Sequence, residues 1–410
     1  MIDMLVLRLP FIDSLVCSRL SGNDLIAFVD LSKIATLSGM NLSARTVEYH
    51  IDGDLTVSGL SHPFESLPTH YSGIAFKIYE GSKNFYPCVE IKASPAKVLQ
   101  GHNVFGTTDL ALCSEALLLN FANSLPCLYD LLDVNATTIS RIDATFSARA
   151  PNENIAKQVI DHLRNVSNGQ TKSTRSQNWE STVTWNETSR HRTLVAYLKH
   201  VELQHQIQQL SSKPSAKMTS YQKEQLKVLS NPDLLEFASG LVRFEARIKT
   251  RYLKSFGLPL NLFDAIRFAS DYNSQGKDLI FDLWSFSFSE LFKAFEGDSM
   301  NIYDDSAVLD AIQSKHFTIT PSGKTSFAKA SRYFGFYRRL VNEGYDSVAL
   351  TMPRNSFWRY VSALVECGIP KSQLMNLSTC NNVVPLVRFI NVDFSSQRPD
   401  WYNEPVLKIA

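Results

Sequence analysis

LVRFEARIK, residues 241–249, alternates between two kinds of side chain along its whole length. Arg243, Glu245, Arg247 and Lys249 fall on one parity, and Val242, Phe244, Ala246 and Ile248 on the other. A period of two sends these sets to opposite faces of a β-strand. Two other stretches divide in the same way. In ISRIDATFSAR (139–149), Arg141, Asp143 and Thr145 share a face, with Ile142 and Ala144 behind it. In TLVAYLKHVEL (193–203), Leu194, Ala196 and Leu198 are apolar, while Tyr197 and Lys199 occupy the alternate face. Three such strands predict one sheet with a charged face and a helix-packed back.

The composition sets the outer bounds. A chain of 410 residues, 44% hydrophobic and 20% charged, suits an ordered globular protein of two or three domains. The formal net charge is only +1, so no global basic excess announces nucleic acid. Residues 151–260 nevertheless hold 16 Lys and Arg against 9 Asp and Glu, whereas residues 1–110 hold 8 against 11. A basic middle is a mild electrostatic footprint for a polyanion. The six cysteines (17, 88, 113, 127, 367 and 380) form no CxxC pair, which argues against zinc fingers and a disulfide framework. MIDMLVLRLPFIDSL lacks the basic start and cleavage site of a signal peptide, and LCSEALLLNFANSL (112–125) is too short and polar to span a bilayer. A soluble cytoplasmic protein is expected.

Along the chain, GIAFKIY (73–79) and FYPCVEIKA (85–93) flank an EGSKN turn and predict a hairpin within a β-rich first 110 residues. Residues 93–106 read as a loop feeding a compact turn. Asp109 caps a helix predicted over 109–133, and PNENIAKQVIDHLRNVSNG (151–169) reads as a helix stopped by Gly169. STVTW (181–185) is a candidate strand, helices are expected over 203–240 with a break at SSKPSAK (211–217), and 251–299 reads as helical. DSMNIYDD (298–305) has a boundary composition. The expected fold is therefore α+β: a central antiparallel sheet of about five strands with helices on one face, plus a mostly helical C-terminal unit. The domains are expected at 1–298, with the catalytic strands inside 139–250, and at 299–410.

What could the charged face do? Asp143 and Glu245 could jointly hold a hard divalent cation, Mg²⁺ or Mn²⁺, which polarises a phosphodiester. A tyrosine phenol titrates near pH 10 and must be activated to attack at neutral pH; a metal or Lys199 favours its phenolate. Arg141, Arg243 and Arg247 could pair with flanking phosphates. The blander reading of each element is a lattice of solvated ion pairs beside an ordinary strand tyrosine.

These segments carry a family resemblance. QGHNVFG (100–106), RIDATFSAR, VAYLKHVEL and VRFEARI, and essentially the whole chain around them, resemble the gene II replication initiators of filamentous coliphages. The last three also resemble the R-I-D … Y-x-K-x-x-E … R-x-E pattern of rolling-circle plasmid initiators. The resemblance implies a nicking endonuclease with Tyr197 as nucleophile, Lys199 as its neighbouring cation, and Asp143, Glu245 and Glu202 as metal carboxylates. It departs from the wider superfamily in lacking a His-hydrophobe-His pair. His200 and His205 flank Glu202 but sit at a spacing that suits no common face. Implied partners are supercoiled origin duplex and its plus single strand, with the host replicative helicase, polymerase and single-strand-binding protein, self-association on the origin, and no membrane. A basic, aromatic groove for the single strand is expected, with Trp179, Trp185 and Arg192 as candidates. The location implied is the host cytoplasm.

Residues 326–343, 346–352 and 354–368 predict three helices with short turns. They suit a helix-turn-helix whose last member, bearing Arg354, Trp358 and Arg359, enters a groove, or else a bundle that stabilises the chain or binds protein. Met300 opens this unit, and the resemblance implies a separately made gene X-type product starting there. Two further classes compete with a nickase: a tyrosine recombinase or topoisomerase, against which the strand carboxylates argue, and a non-catalytic DNA-binding regulator.

Overall fold

The computed structural model describes residues 1–21, 24–41, 48–49, 55–56, 64–83, 85–173, 180–295, 305–377, 397–405 and 407. Trp179, Met300 and most of the 298–305 boundary lie outside these residues.

The three amphipathic stretches do form one sheet, and five more strands join it. In chain order the strands are β1 (Ile2–Pro10), β2 (Glu65–Pro68), β3 (Gly73–Tyr79), β4 (Cys88–Ala93), β5 (Thr138–Arg149), β6 (Thr182–Trp185), β7 (Arg192–Leu198) and β8 (Leu241–Lys249). Their spatial order is β6-β7-β8-β5-β1-β4-β3-β2, with every pairing antiparallel. The expected hairpin is β3–β4. The count exceeds the expected five because the β-rich N-terminal segment extends the catalytic sheet, with β1 inserted between β5 and β4.

Helices pack on the apolar side. They include α1 (Pro95–Gln100), α2 (Leu110–Ser124), α3 (Glu153–Arg164), α4 (Lys199–Ser211) and α5 (Leu279–Phe292). The Asp109 carboxylate caps α2 by accepting from the backbone of Ala111 and Leu112. Its helix ends at Ser124 because Pro126 cannot continue the ladder, so the expected 109–133 helix breaks there. Residues 95–100, expected as loop, form α1, with Pro95 at its first turn and Gly101 closing it at φ +83°. The helix α3 stops at Arg164 rather than at Gly169.

The main core joins the back of the sheet to α2, α3 and α5. Trp284 of α5 is buried among the rings of Phe146, Phe288 and Phe292, and its indole N–H donates to Phe244 O at 3.0 Å. A second cluster belongs to α6 (Ala328–Glu343), α7 (Tyr345–Thr351), α8 (Arg354–Glu366) and α9 (Lys371–Asn376), the expected C-terminal helices. No helix among the described residues is long and apolar enough to cross a membrane. Trp284→Ala removes both the indole volume and its hydrogen bond, and a loss of about 3–5 kcal/mol is expected, measured as a lower urea midpoint of the intact chain.

Candidate active site

Register decides which side chains meet. Tyr197 on β7 lies opposite Arg243 on β8, and Val195 opposite Glu245. On the other flank of β8, Glu245 faces Thr145 and Arg247 faces Asp143 of β5. Directly opposed residues share a face, so Tyr197, Arg243, Glu245 and Asp143 stand on one side of three adjacent strands, with Glu245 between the phenol and Asp143.

This face is charged yet covered. Asp143 is 1% exposed, Arg243 1% and Glu245 5%, while Tyr197 is half-buried. Each carboxylate is held by an arginine two residues away: Arg141 Nε donates to Asp143 Oδ1 at 2.6 Å, and Arg247 Nε to Glu245 Oε1 at 2.7 Å. Burial still pushes the Asp143 carboxyl up to about 7, because its loss of water outweighs the hydrogen bonds from Arg141, and the charge of Glu245 adds to the rise. Burial also holds the Tyr197 phenol well above the ordinary tyrosine range, with Glu245, Asp3 and Glu202 reinforcing it against Arg243. A cation placed among these carboxylates reverses both shifts.

The cover is the QGHNVFG segment, pinned from below. The Arg243 guanidinium donates to the carbonyls of Asn103 and Val104, and its Nε reaches Ser147 Oγ at 3.4 Å. Asn103 then bridges two charges: its Nδ2 donates to Asp3 Oδ1 at 2.8 Å, and its Oδ1 accepts from Lys199 Nζ at 2.8 Å. Lys199 also donates to Glu202 Oε2 at 2.5 Å, and Gln206 closes on the other Glu202 oxygen. Burial lowers the Lys199 ammonium to about 8 despite Glu202. Burial likewise holds the His102 imidazole down to about 3, so it is neutral and accepts from Val104 N at 3.2 Å. Asp3 and Asn103 had no role in the sequence reading. Their only signal was one carboxylate inside the apolar IDMLVL run and one amide in the QGHNVFG turn.

Several expected roles change. β7 ends at Leu198, and Lys199 starts α4, so it does not continue the strand beside Tyr197. Arg243, rather than Lys199, is the cation that bears on the phenol. Glu202 stays with Lys199 and Gln206, and among the described residues no group of three His, Cys, Asp or Glu side chains is arranged to hold a metal ion. His200 turns to Glu153 (3.3 Å), and His205 is exposed on α4. Arg243 is spent on the loop carbonyls beneath the cover, out of reach of a phosphate. Trp185 is fully buried, with its indole N–H on Val166 O at 2.8 Å, and so offers no stacking surface. Arg192 shares the parity of Leu194 and lies over the Tyr252 ring at 4.9 Å, on the face away from Tyr197. Arg141 and Arg247 remain on the charged face, partly exposed, and Arg354 and Arg359 are exposed on α8.

The raised Asp143 carboxyl has a stability consequence. The folded state holds a proton there up to about pH 7, the unfolded chain only to about 3.8, so this group lowers stability as pH rises between those values. Asp143→Asn should therefore stabilise the protein at pH 8, by at most about 4 kcal/mol, with a smaller gain at pH 5. Thermal unfolding of the metal-free protein at the two pH values measures it.

Residues 1–275 match the family model for the N-terminal part of the replication-associated protein of phages, the gene II product, and residues 319–408 match the model for its C-terminal part. The replication-associated protein of Salmonella phage IKe is 60% identical over 407 residues, which is 99% of this chain and 97% of that one. A solved rolling-circle replication initiator protein from Geobacillus stearothermophilus aligns over 61% of this chain and 73% of its own at 11% identity, with a TM-score of 0.21, too low to establish a shared topology. On the strength of the family matches and the phage relative, the chain belongs to the gene II replication-associated protein family, the phage replication initiators that its strand motifs resemble.

Proposed function

We propose that this protein initiates and terminates rolling-circle replication as an origin-specific nicking–joining endonuclease, with Tyr197 as its nucleophile. The observation that carries the reading is a half-buried tyrosine on the same face of three adjacent strands as two buried carboxylates. In the step we propose, Tyr197 Oη bonds to the scissile phosphorus of the plus strand as the P–O3′ bond breaks. The phenol gives up its proton and the 3′ oxygen takes one up. A 5′-phosphotyrosine and a free 3′-OH result, and the reverse transfer closes the displaced strand into a circle without ATP, because the covalent link conserves the phosphodiester.

Asp143 and Glu245 fit a Mg²⁺ or Mn²⁺ ion, since Mg²⁺ is commonly held by one or two carboxylates and completes its shell with water and substrate phosphate. Such an ion supplies charge neutralisation at the phosphate and at the phenol. Arg141 and Arg247 orient the two carboxylates and, being partly exposed, can also meet flanking phosphates. Asn103, Lys199 and Asp3 keep the covering loop in register with the strand that bears Tyr197. The partners in this reading are the supercoiled origin duplex, its plus strand and the host replication machinery in the cytoplasm.

The test uses a supercoiled plasmid bearing the phage origin, with Mg²⁺. Tyr197→Phe should abolish both nicking and the detergent-stable protein–DNA adduct, a loss of at least about 10³-fold. An adduct that persists in the variant rules Tyr197 out. For the metal, Mg²⁺ should raise the thermal midpoint of the DNA-free wild type by ligand linkage and leave Asp143→Ala and Glu245→Ala unmoved. Full nicking in EDTA would discard the ion.

A further inference from the structure

Between the initiator sheet and the C-terminal helices lies a cleft of about 660 Å³ that no role above uses. Its initiator wall includes Lys172, and its C-terminal wall includes Tyr345, Asp346, Arg354, Trp358 and Lys371. The two units touch around it: Lys371 Nζ donates to Asn168 Oδ1 at 2.8 Å, and Asn165 Nδ2 donates to Asn376 Oδ1 at 2.9 Å. We infer that this cleft is a binding site for single-stranded DNA, seating a base on Trp358 and its phosphate among Lys172, Arg354 and Lys371. The inference deepens the nickase reading and rests on it for the identity of the polyanion.

Four observations point the same way. Trp358 is 38% exposed, unusual for so large an apolar ring, and Lys371 Nζ stands 4.9 Å from its centroid. An indole face edged by a cation is the pairing that holds a base and its phosphate in sequence-tolerant single-strand sites. Tyr345 is 8% exposed, and its hydroxyl is buried with no hydrogen-bond partner. A buried hydroxyl left without a partner costs free energy, and a phosphate or base edge in the cleft would satisfy it. Three cations against the one carboxylate of Asp346 leave the lining positive. Finally, Ser173, next to Lys172, bridges Trp185 of β6, the edge strand beside the one carrying Tyr197. The cleft therefore adjoins the edge of the sheet nearest the nucleophile's strand. It has the size of a small-ligand pocket and admits a nucleotide but not a duplex.

The measurement is fluorescence anisotropy of a labelled oligo(dT) that lacks origin sequence, carried out with the full chain in a Tyr197→Phe background so that no cleavage intervenes. Trp358→Ala should weaken binding by at least about fivefold. Lys172→Gln/Arg354→Gln, both at exposed positions, should weaken it similarly and make the salt dependence of log K shallower by about 1.4. A duplex of equal length should bind all forms alike. Unchanged oligo(dT) affinity in the charge variant, with folding verified by circular dichroism, overturns the inference even if Trp358→Ala is unstable. So does an equal loss for the duplex. Neither result touches the nickase reading, which is decided by the Tyr197 adduct on origin DNA.

Discussion

A single buried guanidinium organises the charged face. Arg243 sits at the centre of the sheet's charged side on β8, opposite Tyr197, and gives its N–H groups to the carbonyls of Asn103 and Val104. An arginine with no water around it is tolerated only when its donors are satisfied, and these carbonyls do that. In return the loop is held flat over the sheet. From Asn103 the restraint passes to Asp3 on β1 and to Lys199 at the start of α4, so elements far apart in sequence are registered on one strand residue. The third hydrophobic cluster, in which Val104 and Phe105 meet Leu203, Leu229, Leu234 and Leu241, supplies the apolar half of the same closure.

The C-terminal segment completes that closure. β1 stops pairing with β5 at Ala144, leaving the backbone of Ser147 without a strand neighbour on that side. The Gln397 side-chain amide takes the vacant place, accepting from Ser147 N and donating to Ser147 O, both at 2.8 Å. Trp401 and Tyr402 follow and pack edge-on against Phe105, at 5.2 and 5.4 Å between ring centroids. Residues that follow the C-terminal helices in the chain thus help position the loop over the proposed nucleophile, a physical link between the two ends of the protein.

Function explains why the face tolerates such poor electrostatics. A buried Asp143 beside Glu245, and a phenol pushed away from ionisation, both weigh against the metal-free folded state. Apolar replacements of similar size would cost less. Active sites commonly hold such charges against their preference, and stability is lost there in exchange for chemistry. In the proposed reading the divalent ion and the substrate phosphate relieve the strain that the bare carboxylates impose.

Strand parity was readable from the residues themselves: LVRFEARIK, RIDATFSAR and TLVAYL each declare an apolar and a charged side, and all three joined one sheet in that sense. Parity says which side of a strand a residue takes, but not what lies above it. That is why Arg243 looked like a phosphate ligand and proved to be a loop clamp, and why Trp185 looked available and is buried. It also failed at the strand's end, where Leu198 gives way to a helix and Lys199 turns toward Asn103. Arg192 shows the complementary error, since a basic residue on the apolar parity of β7 has only the back of the sheet to occupy. By itself the sequence determined the charged face, the family and the candidate nucleophile, because side-chain alternation and local motifs are short-range properties. Only the tertiary structure decided which charges are paired, covered or exposed, because those depend on contacts between Asp3, Asn103, Lys199, Arg243 and Gln397 that no local pattern encodes.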